Sequence, residues 1–273
     1  MHPVRHALLA RPAQIQRLLV TRERGREVAE ILRLARQHGV PVSFEERAAL
    51  QRLARGGRHQ GVVSLIGPRP YVELEDVVEQ ARQRGEPALV LVLDGIQDPQ
   101  NLGSLLRTAE ACGVHGVIVP KDRAAGVTPA AVKASAGAAE HVPVARVTNL
   151  VAALGALKEA GLWVVGVTPD AGSSLYEVDL RGHVALVIGG EGSGIRRLVR
   201  ERCDAAVAIP MRGRVASLNA GVAGAVVLYE ALRQRGLPAR PAVPPPGKDL
   251  RQGHPRQKPA DVGVPGDPPA HGR

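Results

Sequence analysis

Three short polar segments hold the residues of this chain whose types and spacing could do chemistry. The first is Asp98-Pro99-Gln100-Asn101-Leu102-Gly103 continuing to Arg107, and the second is Gly189-Gly190-Glu191-Gly192-Ser193-Gly194. The third is Ile209-Pro210-Met211 leading to Ser217-Leu218-Asn219. Amides, hydroxyls, carboxylates and guanidinium groups are able to orient a substrate and bear on its protons. The glycine run lets a ligand approach the backbone closely. It does not match GxGxxG, and no GxxxxGK[ST] occurs anywhere in the chain, so neither dinucleotide nor P-loop chemistry is indicated. Glu191 within that run repels anions and suits a ligand bearing hydroxyls or positive charge. Asn101 is also a candidate helix cap, and Ser217 fits the same role for the helix after it. Arg107, six residues beyond Asn101, either points back to the loop or lies on a solvated helix face.

Several chemistries are excluded. His59, His115, His141 and His183 are scattered without ligand spacing, which argues against a metal site. There is no GxSxG elbow, and Cys112 and Cys203 stand in no motif, so a hydrolase is not indicated. The two cysteines without pairing logic predict a reduced, cytoplasmic protein. No apolar stretch reaches the length of a membrane span, and no leader pattern opens the chain.

The elements that must position these residues alternate regularly. Apolar runs at 89–94, 114–120, 142–147, 162–167, 184–189 and 206–210 read as strands. Between and after them, 102–112, 129–136, 150–160, 195–202 and 217–235 read as helices. Unbroken apolar strands alternating with helices predict an α/β fold with a mostly parallel sheet covered on both faces. The polar segments then fall where such a sheet exposes backbone and builds crevices, as one composite site. The small-residue run AGVAGAVV at 220–227 reads either as a helix that packs closely on a neighbour, as in a subunit interface, or as ordinary capping and core packing.

The first seventy residues read as a smaller α/β unit. Strands are predicted at 15–20, 40–44 and 61–66 and helices at 26–38 and 46–55, before Gly67-Pro68-Arg69-Pro70 breaks the chain. A helix over 74–84 opens the second unit. Of the net charge of +10, residues 1–70 carry +8, residues 71–237 carry −1 and residues 238–273 carry +3. This is either a general arginine bias or a first unit that faces a polyanion. Ten of the 22 prolines lie from 238 onward without apolar periodicity, which predicts a disordered tail. The domains are therefore 1–70, 71–237 and the tail 238–273. Aromatic residues make up only 2%, which argues against an RNA reader built on stacking platforms.

The order and spacing of DPQNLGSLLRTAEACG (98–113), IGGEGSGIRRLV (188–199) and IPMRGRVASLNAGVAGAVVLYEALRQR (209–235) resemble the three motifs of the SpoU (TrmH) family of RNA 2′-O-ribose methyltransferases. HQGVVSLI (59–66) and ASAGAAEHVPVARVTNL (134–150) resemble the branch that methylates a guanosine ribose in 23S rRNA. The resemblance runs from residue 2 to about 235. The family's pattern also includes a glycine-containing strand before His2, so the first strand is expected to lack its opening residues.

The resemblance implies a SPOUT catalytic domain with a C-terminal trefoil knot, behind an L30e-like N-terminal RNA-binding domain. It implies a homodimer that uses S-adenosylmethionine and acts on 23S rRNA in the peptidyl-transferase region. By position, Gly189, Ile209 and Leu218 match the family's cofactor-binding loops, and Asn101, Arg107, Glu191, Ser217 and Asn219 match its polar catalytic set. The family's proposed base stands at Arg107. A guanidinium is effectively always protonated, so orienting the ribose and the adjacent phosphate is the role its chemistry favours. Glu191 and Asn219 would hold the motif loops in shape, and Asn101 and Ser217 would position RNA or cofactor. A tRNA enzyme of the same family and a non-catalytic RNA-binding protein on the same scaffold are the alternatives.

Overall fold

The computed structural model describes residues 2–22, 26–54, 59–67 and 69–236. The proline-rich tail expected from 238 onward lies outside the described residues.

The N-terminal part is a three-stranded sheet with helices packed on it. α1 (His2–Ala10) precedes β1 (Ile15–Thr21), α2 (Arg26–Gln37), β2 (Val42–Glu45), α3 (Arg47–Leu53) and β3 (Val62–Ile66). β1 is central, parallel to β2 with Leu18 beside Val42 and antiparallel to β3 with Leu19 beside Val63. Ala7 and Leu8 of α1 and Val28, Ile31, Leu34 and Ala35 of α2 close over Ile15, Leu18 and Val20. The helix α1 was not foreseen, and β2 starts two residues later than the apolar run suggests.

The rest alternates strand and helix. In order come α4 (Leu74–Arg84), β4 (Leu89–Asp94), α5 (Pro99–Ala111), β5 (Gly116–Pro120), α6 (Pro129–Ala134), β6 (Val144–Val147), α7 (Leu150–Glu159), β7 (Trp163–Val167), β8 (Ser173–Ser174), β9 (Val184–Gly189), α8 (Arg197–Arg200), β10 (Ala205–Ala208) and α9 (Ala220–Gln234). The strands form one sheet of order β6-β5-β4-β9-β7-β10-β8, and every described pairing within it is parallel.

Alternation along the buried strands sorts their side chains into two layers. Leu89, Leu91 and Leu93 of β4, with Leu186 and Ile188 of β9, meet α5 and α9 through Leu102, Leu105, Leu106, Val227 and Leu228. Val90, Val92 and Val187 face the other way, onto Val77 of α4, Leu154 and Leu157 of α7 and Val199 of α8. Each fully buried leucine contributes about 2 kcal/mol of transfer free energy, so this three-layer packing fixes the sheet edge that carries the polar loops. The small residues of α9 serve packing within the chain. A Cβ on Gly224 would stand 2.2 Å from Leu105 Cδ2, so a larger residue there would have to push that methyl group aside for α9 to lie this close to α5.

Helix boundaries differ where a side chain decides them. α5 starts at Pro99, because Asp98 accepts the Gln100 N–H at 2.9 Å and proline occupies the first turn. Asn101 is therefore inside the helix and is not its cap. α9 starts at Ala220, because Asn219 accepts the N–H groups of Gly221 and Val222; Ser217 is not the cap. The helix expected over 195–202 is one turn, Arg197–Arg200, since Arg196 is extended at φ −60°, ψ 144°.

The two parts touch through a buried ion pair. Arg11, ahead of β1, donates to both carboxylate oxygens of Glu140, whose side chain is 2% exposed. His6 Nδ1 lies 2.7 Å from His141 Nε2 beside it. Among the described residues no helix is long and apolar enough to cross a membrane.

Candidate active site

β7, β9 and β10 end on the same side of a parallel sheet, and the segments following them build one cavity of about 560 Å³. A crevice beyond the carboxyl ends of the strands is where an open α/β sheet binds ligands. The segment 167–170 comes from the end of β7, 188–195 from β9, and 209–220 from the stretch between β10 and α9. Val167, Ile188, Ile209, Met211 and Leu218 supply apolar wall.

Three of the polar residues meet in one hydrogen-bonded cluster. Glu191 Oε1 accepts from Asn101 Nδ2 and from Asn219 Nδ2, each at 2.6 Å. Asn219 Nδ2 also donates to Asn101 Oδ1 at 3.1 Å. Residues 90 and 118 positions apart from Asn101 thus converge on it. Asn219 has two tasks: its Oδ1 starts α9 and its Nδ2 ties the loop to α5. Charge-assisted hydrogen bonds of this kind are the stronger sort, and here they join all three sequence segments.

The remaining candidates divide. Gly189, Ile209, Ser217 and Leu218 all line the cavity, together with Glu191 and Asn219. Asn101 stands behind them, buried and reaching the cavity through Glu191. Arg107 lies exposed on α5 and outside the cavity lining. The lining residues that went unnoticed in the sequence include Asp170 and Arg200, paired at 2.7 Å. A hydrogen bond from the Thr168 hydroxyl, and then the Arg200 guanidinium, hold the Asp170 carboxyl below its usual range. The signal available was only Thr168-Pro169-Asp170 following an apolar strand.

The sulfur chemistry is inert. Burial pushes the Cys112 and Cys203 thiols up to about 11, so neither is a nucleophile near neutral pH. Among the described residues no cluster of histidine, cysteine or carboxylate is arranged to hold a metal ion.

Two family models match the chain. One, described as the SpoU rRNA methylase family, covers residues 88–229, and one described as RNA 2′-O ribose methyltransferase substrate binding covers residues 1–72. The chain belongs to the SpoU family. As a SpoU protein it is 45% identical over 240 residues to the 23S rRNA (guanosine-2′-O-)-methyltransferase RlmB of Neisseria meningitidis serogroup B, across 86% of this chain and 94% of that one. The RlmB of Xanthomonas campestris is 49% identical over 211 residues, across 76% and 84% of the two chains. Among solved structures, the SpoU methyltransferase AviRb of Streptomyces viridochromogenes in complex with AdoMet superposes with a TM-score of 0.70 at 30% identity, covering 85% of this chain and 88% of that one. The AdoMet-bound rRNA methyltransferase of Sinorhizobium meliloti gives 0.72 at 26% identity, covering 85% of each. These SpoU relatives span the two parts of the fold together.

Proposed function

We propose that this chain transfers a methyl group from S-adenosylmethionine to the 2′-hydroxyl of a guanosine ribose in 23S rRNA, as a cytoplasmic enzyme. The observation that carries the reading is the union of Asn101, Glu191 and Asn219 in the wall of a cavity that Gly189, Ile209, Ser217 and Leu218 also line, with Asn101 behind it. The RlmB relatives support the substrate, and the AdoMet-bound neighbours support the cofactor.

The residues present fit that cofactor. Cofactor sites run to about 300–1,000 Å³ and are mostly apolar with a few placed polar groups, and this cavity is about 560 Å³. The apolar side chains of Ile188, Ile209 and Leu218 offer a slot for a flat base. Glu191, held by two neutral amides, puts negative charge on the wall, while Asp170 is offset by Arg200 beside it; the charge of Glu191 favours a cation and disfavours a nucleotide phosphate. When bound, S-adenosylmethionine supplies an electrophilic methyl group on a sulfonium.

The protein's own part is positioning. Glu191, Asn101 and Asn219 hold the loop of β9 against α5 and α9, so the cavity wall is set before substrate arrives. Arg107, exposed and without a hydrogen-bond or ion-pair partner among the described residues, orients the ribose and its neighbouring phosphate through a planar fork. Ser217, exposed on the wall, offers a hydroxyl to the RNA or the cofactor. Holding two reactants in line is itself worth several kcal/mol of barrier.

The domain assignments belong to the same reading. Residues 1–70, with a charge of +8, act as the L30e-like RNA-binding domain; 71–237 form the SPOUT methyltransferase domain, and 238–273 a basic tail. β9 lies between β4 and β7, both earlier in the chain, an insertion that supports a trefoil knot around the 189–219 loops. The apolar face of α9, with Val222 and Tyr229 about half exposed, supports a homodimer.

The test is methyl transfer from labelled S-adenosylmethionine to 23S rRNA and tRNA transcripts, with calorimetry of cofactor binding alongside. Label in one 23S guanosine is expected. Label in tRNA instead would keep the reaction and overturn the substrate. Absence of cofactor binding would leave a non-catalytic RNA-binding protein.

A further inference from the structure

We propose that Asp94 is a positioning residue for this methyl transfer, clamping both ends of the loop that carries Glu191. The inference rests on the function proposed above.

Asp94 is the last residue of β4, and its side chain is fully buried at 0% exposure. A carboxylate taken out of water is costly unless it is paired and hydrogen-bonded. The bonds that Asp94 makes beyond its strand all go to one loop. Its carbonyl oxygen accepts the Gly190 N–H at 2.8 Å. Its Oδ2 accepts the Arg196 N–H at 2.8 Å, and its Oδ1 accepts from Arg196 Nε at 2.7 Å. One residue thus seizes the loop where it leaves β9 and again where it enters α8.

Between the two grips the loop closes on itself, with the Gly194 N–H on the Gly190 carbonyl at 3.0 Å. It is also pressed against the turn after β4: a Cβ on Gly190 would stand 2.3 Å from the Gly95 carbonyl oxygen. No other residue type lets the loop seat there. Glu191 is the residue after Gly190, and its reach to Asn101 and Asn219 depends on where that seat lies. Neither Asp94 nor Arg196 lines the cavity, so Asp94 acts through the loop and not by touching the ligand. Supporting groups of this kind decide whether a site is held tightly enough to work.

Asp94→Asn keeps the volume and removes the charge; Arg196→Gln removes the partner and keeps the carboxylate. Amide hydrogen exchange over 189–196 in the free enzyme should quicken about tenfold or more in each variant, because the loop then opens locally. The dissociation constant and KM for S-adenosylmethionine should rise about tenfold in each variant. The double variant should lose no more than either single one, because the pair acts as a unit. RNA affinity should hold.

Unchanged loop exchange with unchanged cofactor affinity would overturn the proposal. A loss in Arg196→Gln confined to RNA affinity would overturn it too, and would assign that guanidinium to the RNA. Should Asp94→Asn fail to fold, Arg196→Gln alone decides by the same readouts. Exchange needs no ligand, so a wild-type protein that binds no S-adenosylmethionine would refute the function while leaving the clamp to be judged on its own data.

Discussion

Replacing Asn219 separates stability from site geometry, because its two ends do different work. Oδ1 caps α9 by accepting from Gly221 at 2.9 Å and Val222 at 3.3 Å. Nδ2 donates to Glu191 at 2.6 Å and to Asn101 at 3.1 Å. Asn219→Ala removes both functions. A lost cap costs about 1 kcal/mol, and the lost bond to the Glu191 carboxylate adds about 1 kcal/mol, taken low because both side chains are exposed. A chain of this size loses about 2–4 °C of Tm per kcal/mol, so a fall of about 4–8 °C is expected. Asn219→Ser keeps a good cap but is too short to reach Glu191. It loses only the bond to Glu191, so its Tm should fall by about 2–4 °C, the effect of about 1 kcal/mol and half the loss expected for alanine. If the cluster positions the loop during transfer, about 1.4–2.7 kcal/mol of barrier is lost, which is about ten- to a hundredfold in rate. The assays are thermal unfolding and single-turnover transfer from labelled S-adenosylmethionine. A serine variant with wild-type transfer rates would refute the reasoning, since the cluster would then be only a cap with neighbours.

Other expectations follow from buried groups. His115 is buried with Nδ1 accepting the Leu89 N–H at 3.1 Å and Nε2 facing Glu86 at 3.3 Å. Burial first, and then the charge of Arg84, lower its pKa, so the folded state favours the neutral ring. Its contribution is whole above the unfolded value of about 6.5 and is lost as pH falls below that; His115→Asn should flatten the fall in urea midpoint between pH 7 and pH 5, and an unchanged slope would contradict this. Arg11→Met leaves Glu140 buried without its main partner and should cost about 3 kcal/mol in urea unfolding, while adding Glu140→Gln should recover much of the loss. The raised thiols of Cys112 and Cys203, at about 11, predict slow labelling by a disulfide reagent at pH 8 until the protein unfolds; rapid labelling of the native chain would be inconsistent with their burial.

Much of the fold was legible because its central strands are unbroken apolar runs. β4 and β9 match the residues expected, Leu89–Asp94 and Val184–Gly189, as flanking polar and glycine residues mark both ends. Strand order was not legible, since a run buried on both faces says nothing about its neighbours; β9 between β4 and β7 is a tertiary result. Caps were read by residue type, and type alone cannot choose between Asp98 and Asn101 or between Ser217 and Asn219. What decides is which side chain reaches the first free N–H groups: Asp98 takes that of Gln100, and Asn219 Oδ1 those of Gly221 and Val222, while Asn101 is turned to Glu191 instead. Arg107 stayed open in the sequence because helical spacing gives its face and not its surroundings. The grip of Asp94 on Arg196 spans 102 positions and left no local trace beyond a carboxylate at a strand end.

The measurement that tests the central claim most directly is alkaline hydrolysis of rRNA labelled by this protein with methyl-tritiated S-adenosylmethionine. The 2′-hydroxyl is the internal nucleophile of alkaline cleavage, so a methyl group placed there protects the bond that follows. The account predicts label in a single alkali-stable dinucleotide that begins with guanosine. Label released in ordinary mononucleotides would place the methyl on a base and contradict it.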